Sequence, residues 1–190
     1  MHVGNVTIHW EVIAVSLLCA VLLGGLLNLI RRVCVKYGMN ALNNGKLRSA
    51  FPLTVAKTIA GSYRLFPWNR NARLYYYSVC WLIATFYISR DDENAFVEEL
   101  SRLRCDTEFH GKAFLFALCY LGKNETTAAR EWKDAYDRCS EKEPRETAVL
   151  GYLFGDTGFT EEQAKEAAAR YKNPGVKKLL ASNGLLENGR

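Results

Sequence analysis

The sequence predicts an all-α protein: a single N-terminal transmembrane helix followed by a domain of stacked helical hairpins. Three observations predict it. Residues 12–30 carry no charge. From residue 74 onward, segments that are apolar all round alternate with amphipathic ones. No stretch shows the period-two alternation of a half-buried strand.

The first element is "VIAVSLLCAVLLGGLLNLI", 19 residues at positions 12–30. As a helix it spans about 28 Å, close to the roughly 30 Å of a bilayer core. Trp10 and Tyr37 flank it, and both residue types favour the membrane interface. A cleaved signal peptide would need a basic n-region and a small-x-small site. Residues 1–11 hold no Lys or Arg, and "NLIRRV" offers no such site. The run is therefore read as an uncleaved signal-anchor behind a short extracytoplasmic N-terminus, residues 1–11.

Charge orients it. Between residues 12 and 90 there are ten Lys or Arg and no Asp or Glu, whereas residues 91–190 hold 19 acidic and 15 basic residues. Arg31, Arg32 and Lys36 follow the span directly, with Lys46 and Arg48 close behind. The positive-inside rule places this side in the cytoplasm of a single-pass cell-membrane protein. The six cysteines agree. None forms a CxxC pair, and most sit in apolar runs, as reduced thiols in a reducing compartment do.

One stripe of the span is small or polar at every fourth position: Ser16, Ala20, Gly24 and Asn28. Such a stripe lets two membrane helices approach and hydrogen-bond, so it is the candidate pairing face for a homo-oligomer or a membrane complex.

Residues 31–71 form a basic juxtamembrane connector. Within it, 38–50 ("GMNALNNGKLRSA") reads as a linker or a poorly formed helix. Residues 52–65 carry Leu53, Ala56, Ile59, Ala60 and Tyr63 on one helical face, with Pro52 suited to a first turn. Arg31, Arg32, Lys36, Lys46 and Arg48 are the expected contacts to anionic lipid. The basic residues are thinly spread and carry no recognition motif, so no nucleic acid is expected.

Residues 72–190 are the hairpin domain. The segments apolar all round are 74–88, 112–122 and 147–154; the amphipathic ones are 92–103, 126–139 and 160–171. In a hairpin stack one helix of each pair is buried and the other covers it with one face wet. The expected buried faces are Phe96, Leu100 and Leu103; Ala128, Trp132, Ala135 and Cys139; and Ala164, Ala168 and Tyr171. Asp91 and Asn124 are expected helix caps, Ser140 with Glu143 and Thr160 with Gln163 have capping-box spacing, and "KNPG" ends the last helix. The 74–88 run leaves a second span open as an alternative.

The second and third hairpins resemble tetratricopeptide repeats, whereas the first, with Ala95, Glu99 and Arg102, does not match the pattern. Ala95, Ala128 and Ala164 recur near that family's period of about 34 residues. Ala128, Trp132 and Ala135 match its small-aromatic-small pattern, and Ala164, Ala168 and Tyr171 match it loosely. Ile83, Phe116 and Tyr152 stand where the family has Gly, and its closing Pro is missing. The resemblance covers residues 72–173 and implies a protein-binding solenoid; it carries over no groove residue. Tyr75, Tyr76, Arg104, Lys112 and Tyr120 are the candidates for a groove that otherwise stays unassigned.

No catalytic motif appears, and no cofactor is expected. Cys105, Asp106, Glu108 and His110 are dense in potential ligands but read as a loop and cap, with Asp106 or Thr107 as N-cap, so no metal is assigned. "FGDTGFT" at 154–160 joins two helices and lacks a Walker lysine. The expectation is a membrane-anchored cytoplasmic scaffold that binds a protein partner. The alternative is a membrane-complex subunit that works through its transmembrane helix.

Overall fold

The computed structural model describes residues 10–65, 68–103 and 108–187. Among them are nine α-helices and no strand. The first, α1 (Trp10–Asn43), has 34 residues. It is long and apolar enough to cross a bilayer: its best window has a mean hydropathy of 2.5, and the protein buries none of it.

α1 does not stop at the basic flank. It runs six residues into the stretch read as a linker, and Gly38 and Leu42 are buried there. The reason is a close helix crossing. A Cβ on Gly38 would lie 2.6 Å from Leu53 Cδ2, so any larger residue would force the Leu53 side chain to move. Gly45, at φ 65°, then turns the chain, and the Lys46 N–H donates back to the Ala41 carbonyl at 2.7 Å.

α2 (Phe51–Ala60) continues into a 3₁₀ turn, Gly61–Leu65. Its apolar face, Leu53, Ala56 and Ala60, is buried within the protein. Lys57 Nζ sits 2.7 Å from Glu99 Oε2.

α3 (Arg70–Ser89) starts at Asn69, whose side chain accepts the Ala72 N–H. Its apolar circumference has a plain cause: two cores meet on it. Val79, Leu82, Ile83 and Phe86 pack with Leu42, Leu47 and Leu53. Tyr77, Cys80, Ala84 and Ile88 pack into the core of the hairpin domain. The second-span alternative for 74–88 is thereby answered: protein covers this helix.

Three hairpins follow: α3 with α4 (Glu93–Ser101), α5 (Gly111–Gly122) with α6 (Thr126–Asp137), and α7 (Pro144–Leu153) with α8 (Glu161–Ala169). Phe96, Leu100 and Leu103 are buried, as are Ala164 and Ala168, while Tyr171 is half-buried. In α6 the inner face is rotated from the expected one. Ala129, Tyr136 and Cys139 are buried, and Ala128, Trp132 and Ala135 are half-buried. Trp132 still packs on Phe116, ring centroids 4.6 Å apart.

The turns correct the capping assignments. Asp91 and Asn124 adopt φ of 61° and 63°. They terminate α3 and α5 as left-handed residues and do not start α4 and α6. Gly155 does the same after α7 at φ 74°. Asp and Asn tolerate this conformation better than other non-glycine residues. Asp92 caps α4, accepting the Ala95 N–H at 3.0 Å. Glu125 and Glu143 occupy the N-cap positions of α6 and α7 without a side-chain cap bond, so no Ser140 box forms. The Thr160–Gln163 capping box is present in both directions. Asp106 and Thr107 lie outside the described residues, and His110 occupies the N-cap position of α5.

"KNPG" ends one helix and begins another. Asn173 caps α9 (Pro174–Ser182), with Pro174 in its first turn. α9 folds back to pack on α3 and α5. A Cβ on Gly175 would lie 2.0 Å from the Thr85 carbonyl oxygen, so only glycine permits this contact.

Candidate functional site

Two regions bear on function: the junction of α1 with the domain, and the faces of the hairpin array. At the junction Arg31 is half-buried. Its Nη2 donates to Asn28 Oδ1 at 2.5 Å, and its guanidinium carbon lies 4.2 Å from the centre of the Tyr75 ring. Nε is buried without a hydrogen-bond partner. The guanidinium borders a cavity of about 750 Å³ between α1, α2, the 3₁₀ turn and the start of α3. Gly24, Leu27 and Asn28 form its α1 wall, and Asn69, Asn71 and Tyr75 form its α3 wall. Among the described residues no carboxylate lines it. Leu65 and Trp68, close in sequence to the lining residues Ser62 and Asn69, are 72% and 76% exposed.

The predicted residues distribute as follows. Ser16, Ala20 and Gly24 lie on the exposed part of α1, and Asn28 is half-buried beneath Arg31. Nothing lies within 4 Å of a Cβ built on Gly24. Arg32, Lys36, Lys46 and Arg48 are exposed. So the basic set is divided: four cations face outward, and Arg31 turns into the cavity. Sequence reading missed the walls that α3 supplies. The signal was present in "WNRNAR", where Asn69 precedes a helix start.

Of the candidate groove residues, Tyr76 and Lys112 are buried, Tyr75 and Tyr120 are half-buried, and Arg104 lies outside the described residues. Lys112 donates to the Leu103 carbonyl at 2.5 Å and lies 5.5 Å from the centre of the Trp132 ring. That is a packing role. α9 covers the α3 and α5 faces, and its Asn183 amide donates to the Leu118 carbonyl at 3.0 Å. Asp91 holds Lys178 of α9 in an ion pair.

The described members of the dense ligand cluster, Glu108 and His110, each have an ion-pair partner of their own. Cys105 and Asp106 lie outside the described residues, Glu108 pairs with Arg70 and Arg73, and His110 pairs with Glu146. Glu146 is 5% exposed, and its Oε2 lies 2.5 Å from His110 Nδ1. Burial raises the Glu146 carboxyl above its ordinary range, against the opposing pull of His110. Burial alone would lower His110, but its bond to Glu146 and the charges of Glu146, Glu143 and Glu141 raise it. The pair ties the start of α5 to the first turn of α7. Cys80 and Cys119 are free and buried, and Cys139 is buried just past the end of α6. Burial pushes Cys80 up to about 12 and Cys119 to about 11, so neither is a ready nucleophile.

Compared with known proteins, the chain matches no family model, no curated protein and no solved structure. The physical arrangement alone therefore carries the functional reading.

Proposed function

We propose that the chain is a single-pass membrane scaffold whose cytoplasmic, tetratricopeptide-like hairpin array binds a protein partner. The observation that carries this reading is the junction at Gly38. One unbroken helix enters the core of the domain, so the array is held in a set orientation to the anchor. A flexible tether would leave it free to tumble.

Two further features support an array that presents a surface. The first helices of the successive hairpins end on left-handed residues at 91, 124 and 155, a regular recurrence in the turns. The second helices α4, α6 and α8 each bury one apolar face and leave a charged one in solvent. With α9 seated on α3 and α5, the partner surface is assigned to those outer faces. Arg130, Glu131 and Asp134 of α6 are exposed there. The partner is accordingly a polar protein surface.

Site-specific photocrosslinkers at Glu98, Arg130 and Glu162 in intact membranes test this reading. A discrete adduct common to these positions, preserved when residues 12–23 are exchanged for an unrelated span, supports the scaffold. Adducts that scatter, or vanish with the exchange, contradict it. The second outcome favours the membrane-complex reading, for which the exposed Ser16, Ala20 and Gly24 stripe is the supporting observation.

A further inference from the structure

We infer that the cavity between α1, α2 and the start of α3 binds the phosphate of an anionic phospholipid, with Arg31 as its cationic contact. The inference rests on the reading that α1 spans a bilayer.

The chemistry of the lining selects an anion. Among the described residues Arg31 is its one formal charge, and no carboxylate shares the cavity. Arg31 is not neutralised within the chain: its described partners are the neutral Asn28 oxygen and the Tyr75 ring. A guanidinium stacked on a ring keeps its in-plane N–H groups directed at an acceptor, and here Nε has none. Thr58 and Ser62 already donate to backbone carbonyls. The Asn69 oxygen is used in capping, which leaves the amide NH₂ groups of Asn69 and Asn71 as donors on the lining that Arg31 shares. A phosphate has the acceptors for all three groups.

The remaining wall selects a lipid over a free anion. Leu27, Ile59 and Ala72 give the cavity an apolar side that inorganic phosphate would leave unused. Gly24 and Leu27 belong to the uncharged exposed run of α1, so the cavity opens at the level where hydrocarbon gives way to headgroups. Leu65 and Trp68, close in sequence to the lining residues Ser62 and Asn69, are exposed as interfacial anchors are. Exposed cations such as Arg32 would draw anionic lipid to the surface without ordering it.

The full-length chain in nanodiscs of phosphatidylcholine and phosphatidylglycerol tests the site, with retained lipid counted by native mass spectrometry. The wild type is expected to keep phosphatidylglycerol selectively. Arg31→Gln should cut retention by more than about tenfold, the loss expected for a charge-assisted hydrogen bond. Arg32→Gln, a surface cation outside the cavity, should cut it by no more than about fivefold. Ala72→Leu intrudes on the cavity from its apolar wall without altering charge and should also lower retention, with helicity by circular dichroism confirming that each variant folds. Equal effects of Arg31→Gln and Arg32→Gln, or retention unchanged in Ala72→Leu, overturn the site. Displacement of the lipid by millimolar inorganic phosphate overturns the lipid as the source. A chain that stays out of the nanodiscs refutes the anchor instead. The cavity is then scored by phosphorus NMR titration of the soluble chain with inorganic phosphate, where binding independent of Arg31 overturns it.

Discussion

The Asn173 side-chain amide donates to Thr85 Oγ1 at 2.9 Å, joining positions 88 residues apart, and both side chains are buried. The Asn173 oxygen meanwhile accepts the Gly175 and Val176 N–H groups, so one side chain both starts α9 and fixes it to α3. Asn173→Ala removes the cap and the buried bond to Thr85, whose hydroxyl keeps its bond to the Leu82 carbonyl. A loss of about 2 kcal/mol is expected, from roughly 1 for the cap and a similar amount for the buried bond. Urea titration of the full-length chain in micelles measures it; a loss under about 0.5 kcal/mol would mean that α9 is not fastened this way.

Gly175→Ala addresses the same helix by steric means. The new Cβ would fall on the Thr85 carbonyl, a backbone atom with little room to yield. Overpacking of this kind costs about 1–3 kcal/mol. Hydrogen exchange should show α9 losing protection first while α7 and α8 keep theirs. Uniform loss across the domain would contradict a separately docked α9.

Lys57 and Glu99 link α2 to α4, with side-chain exposures of 18% and 7%. Lys57→Met leaves Glu99 charged, buried and unpaired. The full cost of breaking a buried pair is about 3–5 kcal/mol, and the partial exposure of Lys57 reduces the expectation to roughly 2. The double variant Lys57→Met/Glu99→Leu should recover most of that loss. A double variant no better than the single one would show that Glu99 is not held by Lys57.

The His110–Glu146 pair sets a pH dependence. The folded His110 titrates above its ordinary 6.5, so its stabilising contribution is complete below that value and fades as pH rises through the raised one. Glu146 is also raised, so its contribution is complete below the ordinary 4.5 and fades as pH rises through its raised value. The advantage of wild type over His110→Gln should therefore be largest near pH 6 and shrink toward pH 9. Melting temperatures of both proteins across that range provide the check. An advantage that grows with pH would reverse the sign and exclude the pair as described.

Much of this architecture was readable before the structure. The long apolar run, the alternation of two helix types and the Thr160–Gln163 box each rest on local pattern, and each is present. What was not readable depends on distant chain. Gly38 looked like a linker residue because nothing nearby reveals that Leu53 will lie against it. Asp91 and Asn124 looked like N-caps because Asp and Asn serve both roles; only the backbone turn decides between starting one helix and ending the previous one. Arg31 looked equivalent to Arg32, and the difference comes from Tyr75, more than forty residues later. α9 was the avoidable miss: Asn173–Pro174 has the signature of a helix start, and Val176, Leu179 and Leu180 follow at helical spacing.

Ala20→Leu tests the pairing stripe without entering the cavity that Gly24 lines. In a membrane two-hybrid assay it should weaken self-association if the stripe is an interface. Unchanged signal would remove that role from Ser16, Ala20, Gly24 and Asn28.

The central claim is that α1 lies in the bilayer and the hairpin domain lies on its cytoplasmic side. The direct measurement is maleimide labelling of Glu162→Cys, on an exposed face of α8, in cells before and after permeabilisation, read above the parent chain. The account predicts a chain that stays with carbonate-washed membranes and is labelled only after permeabilisation. Labelling in intact cells, or a chain released by the wash, would contradict it.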